Sequence, residues 1–593
     1  MKATDTSNPE YFHKVVDCQY ACPAHTPVPE YIRLIAAGRY TDAYMVNWES
    51  NVFPGVLGRT CDRPCEPACR RGRVEEQPVA ICRLKRVAAD NKNDEEIQAR
   101  MPAIPVTKNG KRVALIGGGP ASLTVARDLM PLGYEVDLYD AQQAGGGFMR
   151  SQIPSFRLPA AVLDQEVNYI LDMGVTTHFN TYVDSLKAIL DKKYDAVFVG
   201  TGAPRGRDLN IPGRQDAGAN IHIGIEWLAS VAFDHTSSIG KKVIVLGGGN
   251  TAMDCCRTSL RLGAEEVKVI VRSPRADMKA SPWEIEDAER EGIPMLENHV
   301  PLEFVVKDGK LVGMTFDRVT AVYDNGKRSL VSLKEAPVFV ECDDVCIAIG
   351  QDNAFPWIER DLGVEFGKWD MPVVDATTFQ STLPKVFFGG DAAFGPKNVI
   401  TAVAHGHQAA VSIDLFLHGK SVNERPAPRT NLVSQKMGVH EWIYDNNVVN
   451  DHRYAVPHAE VQLSLKDRKL EVELGFDADT AWHEAQRCLN CDAQTVFTEV
   501  KCIECDACVD ICPTNCITFT QPQDDEKELR THLSAPANNL AQDLYVSAGQ
   551  LKTGRVMVKD ENVCLHCGLC AERCPTAAWD MQKFLYQVSK AGQ

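Results

Sequence analysis

Two runs of cysteine near the C-terminus have the spacing of a cluster ligand set. Cys502, Cys505, Cys508 and Cys512 precede Pro513, and Cys564, Cys567, Cys570 and Cys574 precede Pro575, so C-x2-C-x2-C-x3-C-P occurs twice. Three thiolates on one tight loop hold three irons of a 4Fe-4S cubane, while the fourth, beyond a turn, reaches the other cluster. The expected sets are therefore Cys502, Cys505 and Cys508 with Cys574, and Cys564, Cys567 and Cys570 with Cys512. Zinc is the rival, but zinc sites are commonly built from two separated ligand pairs rather than a repeated quartet closed by Cys-Pro. Cys516 is left over and reads as a buried small residue. Cys488 and Cys491, in RCLNC, could be ligands, but a single C-x2-C without a second pair leaves their role open.

Glycine turns carry the second kind of chemistry. In VALIGGGPASLTVARDL, Gly117, Gly118 and Gly119 separate an apolar strand from a helical pattern, and Ser122 takes the third position of G-x-G-x-x-G. Such a turn lets the backbone approach a pyrophosphate, whose charge the helix N-terminus stabilises. Asp140 ends the next strand, where a carboxylate accepts hydrogen bonds from a ribose, although a solvated acid would occupy the same place. A second turn, VIVLGGGNTAMD, puts Gly247, Gly249 and Ala252 at the three positions. Its next strand ends at Arg272, where an arginine can pair with the 2'-phosphate of NADPH; a surface charge is the plainer alternative.

The elements that must position these residues fall into zones along the 593-residue chain, too long for a single core. Residues 1–108 carry cysteines and helical patterns such as 28–47. Residues 109–235 open the first doubly wound unit, 236–350 form a second unit inserted in it, and 351–422 complete the first. Residues 423–495 read as a connector with weak periodicity, and 496–593 as a duplicated cluster domain. The fold class is thus α/β multidomain: a helical iron–sulfur domain, two Rossmann-like domains and an α+β ferredoxin-like domain. A net charge of -16 excludes a nucleic-acid surface, and no apolar run reaches membrane-spanning length. Without a leader-like start, the 21 cysteines point to metal in a reducing, cytoplasmic setting rather than to disulfides. Cys255, Cys256, Cys342 and Cys346 read as buried small residues.

The C-terminal repeat resembles bacterial two-cluster ferredoxins, departing from them in the polar stretch between Cys516 and Cys564. AGGGFMRSQIPSFRLP and GGDAAFGPKNVITAVAHG resemble the segments by which glutathione-reductase-type flavoproteins hold FAD. Over about residues 15–420, CPAHTPVPEYI, RTCDRPCEPACRRG, GGGPAS, GGGNTAMD and AIGQ resemble the glutamate synthase small-subunit-like family and the N-terminal half of dihydropyrimidine dehydrogenase, whose FAD turn also ends in serine. The pyrimidine-reducing half of the latter is absent.

The resemblance implies that Gly117 to Ser122 (with Pro120 and Ala121), Asp140, Gly146, Gly147, Phe148, Arg157, Gly390, Asp391, Asn398 and Val399 line FAD. It places Gly247, Gly249, Asn250, Thr251, Ala252, Arg272, Arg275, Ala348 and Gly350 toward NAD(P)H. Relatives that use NADPH have a second basic residue after the arginine; here it is Ser273, which keeps NADH open. Cys22, Cys61, Cys65 and Cys82 match one N-terminal 4Fe-4S cluster. Cys18 and Cys69 match two ligands of another, but Glu10 and His13 stand where two more cysteines would be. Either that cluster is absent, which the rarity of imidazole on a cubane favours, or His13 substitutes.

A nicotinamide gives two electrons as hydride and a cluster accepts one, so a flavin must divide the pair, a task needing no catalytic acid or base. The implied function is an electron-transfer flavoprotein subunit passing electrons to or from a partner oxidoreductase subunit or a ferredoxin-like carrier, a 2-oxoacid oxidoreductase complex being favoured by analogy. A glutamate synthase small subunit, a free-standing reductase and a non-catalytic assembly subunit are the alternatives.

Overall fold

The computed structural model describes residues 1–324, 327–434, 451–530 and 544–593. Strand Arg112–Ile116 is buried after its first residue, as a parallel strand covered on both faces must be. It sits at the centre of a five-stranded parallel sheet in the order Val386–Phe388, Ala196–Val199, Arg112–Ile116, Glu135–Tyr139, Thr176–His178. The late strand Val386–Phe388 thus returns to the first sheet after a long excursion. Helices Pro120–Leu129 and Val399–Leu417 cross closely over this sheet: a Cβ on Gly406 would lie 2.6 Å from the Ala121 carbonyl oxygen.

The excursion builds a second parallel sheet, Ile221–Ile223, Asp344–Ile347, Lys242–Leu246, Glu266–Ile270, Met295–Leu296. It takes in Ile221–Ile223, upstream of the expected start at residue 236, because that short strand pairs with Asp344–Ile347 rather than with the first sheet. An antiparallel sheet around His299–Lys307 and Lys310–Asp324 packs beside it through Phe304, Met314 and Phe316.

Short helices make up the N-terminal zone. The helical pattern over 28–47 divides into Val28–Ala36 and Tyr40–Asn51. Gly38, at φ +71°, ends the first helix, with its N–H on the Ile35 carbonyl and that of Arg39 on Leu34, a glycine C-cap. At the C-terminal end, strands Ile517–Thr520, Val556–Lys559 and Tyr545–Val546 form one small antiparallel sheet. A second places Trp579–Gln587 between Arg429–Ser434 and Ala493–Phe497.

Two of those flanking strands come from the stretch expected to be a connector, and its described part is firmly packed. Glu484, fully buried on helix Ala478–Gln486, accepts from the N–H of Ala80 at 2.8 Å and of Tyr454 at 3.0 Å and pairs with Arg487. Arg33 holds Asp492 at 2.5 Å. Ion pairs and capped N–H groups, with a few buried apolar side chains such as Phe476, Ala481 and Ala485, tie this segment to the N-terminal helices, so hydrophobic periodicity alone does not reveal it. Part of the segment, 435–450, and part of the polar stretch before Cys564, 531–543, lie outside the described residues. No helix among the described residues is long and apolar enough to cross a membrane.

Candidate functional site

The first glycine turn opens into a cavity of about 510 Å³. Gly117, Gly118, Gly119, Pro120 and Ala121 form one wall. Gly117 has φ +94°, and a Cβ there would sit 2.6 Å from the Gly200 carbonyl oxygen, so only glycine fits. Pro120 occupies the first helical turn, where its missing N–H costs nothing. The Asp140 carboxylate accepts from the N–H of Gly118 at 2.5 Å and of Gln142 at 2.7 Å; burial still raises its pKa above the ordinary value. Gly147 and Phe148 close a second side; a Cβ on Gly147 would come within 2.8 Å of Gly119 Cα. Gly390, Asp391, Asn398 and Val399 form the third. Asn398 caps the 19-residue helix Val399–Leu417 by accepting from Thr401 N–H at 3.0 Å, directing the helix's positive end at the cavity. Asp391 accepts from Lys397 N–H at 2.9 Å and is raised by burial.

Two expected residues lie behind this surface. Gly146 donates to the Gly118 carbonyl at 2.8 Å, and Ser122 is wholly buried against Gly200. The cavity suits FAD: an open glycine wall, two helix N-termini for a pyrophosphate, and the buried polar atoms Gln142 Oε1 and Thr201 Oγ1, which have no protein partner.

Asn250 and Thr251, at the start of helix Asn250–Arg261, also line the cavity, so the second dinucleotide turn abuts the first. Gly247, at φ +136°, packs on the Ala348 carbonyl, and Gly249 is the helix N-cap. Ala348 donates to the Leu246 carbonyl at 2.8 Å, and Gly350 accepts from Arg207 N–H at 3.0 Å. Ala252 is buried beneath the turn. Arg272 is exposed, just beyond strand Glu266–Ile270. The Arg275 guanidinium is paired with Glu289, and its N–H donates to Glu297 at 2.6 Å. Arg157 lines the cavity but spends its charge on Asp254, at 2.6 Å, and Glu284, at 2.5 Å, locking the two dinucleotide domains together.

Thr60 and Asp62, which flank Cys61, also line the cavity, and Asn250 Nδ2 donates to the Asp62 carboxylate at 3.5 Å. The helix Pro54–Thr60 is held there by Glu166, whose carboxylate accepts from Gly55 N–H at 2.6 Å, Val56 N–H at 3.0 Å and Tyr44 OH at 2.9 Å. Cys61, Cys65 and Cys82 come together, with Cys22 and the buried Lys85 among them. Burial would push the Lys85 ammonium down, but thiolates at Cys82, Cys61, Cys65 and Cys22 outweigh it and hold the group protonated.

The ferredoxin cysteines divide between two cavities in the crossed manner. One is lined by Cys502, Cys505, Cys508 and Cys574, the other by Cys512, Cys564, Cys567 and Cys570. Cys516 is buried, and its sulfur lies 3.5 Å from that of Cys512, on the wall of the second cavity. Cys255 and Cys346 are buried together beneath the second sheet, with Cys256 and Cys342 also buried.

His13, the alternative ligand, stands apart from the cysteines. Its ring stacks on Tyr586 at 3.8 Å and meets His25 edge-on, away from the cavity that Cys18 and Cys69 line, and Glu10 is exposed. The places across from Cys18 and Cys69 are taken by Cys488 and Cys491.

Sequence reasoning missed Thr60, Asp62 and Asp254 as cavity residues. Asp254 ends the GGGNTAMD motif and was within reach. Thr60 and Asp62 were not, because nothing in one strand of text says that a cysteine loop faces a glycine turn.

A two-dinucleotide fold with adjoining cysteine sites defines a flavin-dependent iron–sulfur oxidoreductase. Residues 111–406 match the family model for pyridine nucleotide-disulphide oxidoreductase, 12–97 that for dihydropyrimidine dehydrogenase domain II, 4Fe-4S cluster, and 501–578 that for a 4Fe-4S dicluster domain. The NADP(+)-dependent formate dehydrogenase subunit beta of Moorella thermoacetica is 36% identical over 502 residues, 80% of this chain and 70% of that one. The NADPH-Fe(3+) oxidoreductase subunit beta of Geobacter sulfurreducens is 32% identical over 529 residues, 82% of this chain and 77% of that one. The glutamate synthase (NADPH) small chain of Azospirillum brasilense is 33% identical over 427 residues, 68% and 87% of the two chains. The chain belongs to the glutamate synthase small-subunit-like family of FAD- and nicotinamide-dependent oxidoreductases, extended by a C-terminal 4Fe-4S ferredoxin domain.

Proposed function

We propose that this chain is the electron-transfer subunit of a larger complex, exchanging electrons between NADPH and a partner's active site. One observation carries the reading: the FAD cavity is bordered both by Asn250, Thr251 and Asp254 of the nicotinamide half and by Thr60 and Asp62 beside Cys61. A flavin there would lie within reach of both a hydride donor and a one-electron acceptor, and converting two-electron to one-electron traffic is the chemistry it supplies. The chain's own part is to orient and to insulate. Helix ends and glycine walls hold the phosphates, the Arg157 link fixes the two halves, and Glu166 fixes the Cys61 loop.

NADPH is favoured over NADH by the exposed Arg272 at the strand end, which can pair with a 2'-phosphate, and by the three relatives' names. At the other end Cys505 is exposed, with Val500 and Ile503 beside it, a fitting exit to a partner chain. The partner's identity is best sought among formate-, ferric-iron- and glutamate-linked assemblies; the 2-oxoacid setting rests on the ferredoxin extension alone. Thiolate-held clusters suit a reducing compartment such as the cytoplasm.

Anaerobic addition of NADPH to the oxidised protein is expected to bleach the flavin absorbance and then the broad iron–sulfur absorbance. Bleaching by dithionite but by neither NADPH nor NADH would refute the reading. Native anaerobic purification should bring partner subunits with the chain.

A further inference from the structure

One more cavity is lined by four cysteines. Cys18 comes from helix Asp17–Ala21 and Cys69 from the turn before helix Gly72–Glu75, Cys488 and Cys491 from the segment leading into strand Ala493–Phe497. All four are free thiols. Cys488 and Cys491 lie outside every matched family region. We propose that Cys18, Cys69, Cys488 and Cys491 bind an additional 4Fe-4S cluster, which joins the Cys22 site to the ferredoxin domain.

The local conformation is that of the ferredoxin loops in the same molecule. In Cys488-Leu489-Asn490-Cys491 the third residue, Asn490, has φ +50°, and its N–H is directed at the Cys488 sulfur. Glu504, in the same place between Cys502 and Cys505, has φ +57° and donates to the Cys502 sulfur at 3.4 Å; His566, between Cys564 and Cys567, has φ +54° and donates to the Cys564 sulfur at 3.4 Å. Left-handed backbone at three non-glycine residues is unfavourable and recurs here where N–H groups must turn toward sulfur. The aliphatic second residue faces the cavity in all three loops: Leu489, Ile503 and Leu565.

Size and spacing agree. This cavity and the two ferredoxin cavities each measure about 20 Å³. Among the described residues, no three of these four sulfurs lie within 4.8 Å of one another, the closeness a single ion such as zinc would need. The same is true of the two ferredoxin sets.

The place is that of a missing link. Cys18 precedes Cys22 by four residues, as Cys65 precedes Cys69, so this site and the Cys22 site interleave. Arg70, beside Cys69, pairs with Asp17 and donates to the Cys564 carbonyl at 2.5 Å, while the His566 ring contacts the Cys491 carbonyl at 2.9 Å. One electron enters from the flavin side and one leaves toward Cys564, with no atom or proton transferred. This role rests on the relay proposed above; the ligand set does not.

The test is the full chain, purified anaerobically, carrying Cys488→Ala and Cys491→Ala. About four irons and four sulfides per chain should be lost, FAD content and its bleaching by NADPH kept, and electron delivery to the ferredoxin clusters abolished. Unchanged iron and sulfide, or loss of one zinc instead, overturns the proposal. If the double variant does not fold, Cys488→Ser decides: it should alter the electron paramagnetic resonance signal of one cluster, and a spectrum identical to the parent's overturns the assignment. Failure of NADPH to bleach the parent's flavin would refute the relay and leave the iron count to judge the ligands.

Discussion

Single side chains set the electrostatics of the relay. Lys85 is buried among Cys22, Cys61, Cys65 and Cys82, and Lys559 is buried beside Cys564, 2.7 Å from Glu561. Each places a positive charge where thiolate-bound iron brings negative charge into a medium that cannot solvate it. His13 behaves oppositely. Burial, aided by His25, lowers it to about 3 from an ordinary 6.5. The unfolded chain takes up a proton near pH 6.5 that the folded chain refuses until far lower, so stability present above pH 6.5 is lost as pH falls through that window. By pH 5 the loss from this one group is about 1–2 kcal/mol. His13→Phe, which keeps a ring on Tyr586, should narrow the gap in melting temperature between pH 7 and pH 5; an unchanged gap would clear His13 of the effect. Arg272 governs nucleotide choice. Arg272→Ala should weaken NADPH binding about tenfold or more, the worth of a charge-assisted hydrogen bond, and leave NADH nearly unaffected. Steady-state KM values for the two nucleotides decide it.

Elements matter through how their ends are held. Helix Pro54–Thr60 is seven residues long, too short to be stable alone, and it carries Cys61 at its C-terminal end. Its N-terminal N–H groups are satisfied by Glu166 of helix Ala160–Leu171, a carboxylate that burial raises and these donors pull back down. Glu166→Ala would strand two backbone donors and the Tyr44 hydroxyl in the core, at about 2–4 kcal/mol. The expected signature is specific: a lowered melting temperature together with loss or broadening of the signal from the Cys22 site, with the ferredoxin signals intact. Equal loss of all cluster signals would show that the damage is global instead.

The whole molecule runs from a nicotinamide turn through a flavin cavity to cysteine sites that end at exposed Cys505. Cys508→Ala, at that far end, should remove about four irons per chain and cut reduction of an added one-electron protein acceptor, while flavin bleaching by NADPH proceeds as in the parent. Undiminished acceptor reduction would move the exit elsewhere. The net charge of -16 adds that association with a basic partner should weaken as salt rises.

Much of this was legible without coordinates, because the relevant signals are local. A cysteine quartet closed by proline, a glycine turn between strand and helix, and an acid after the next strand each state their chemistry within some twenty residues, since loop geometry and helix ends are local physics. Tertiary structure alone decided the rest. It brought Cys488 and Cys491 to Cys18 and Cys69 across more than four hundred positions, faced the Cys61 loop toward the flavin cavity, and turned Arg275 to Glu289 and His13 to Tyr586. The segment carrying Cys488 is anchored by buried ion pairs and capped N–H groups, interactions between distant residues that leave no period in the sequence. The cysteine sites are therefore written locally in the ferredoxin domain and only in three dimensions at the N-terminal end.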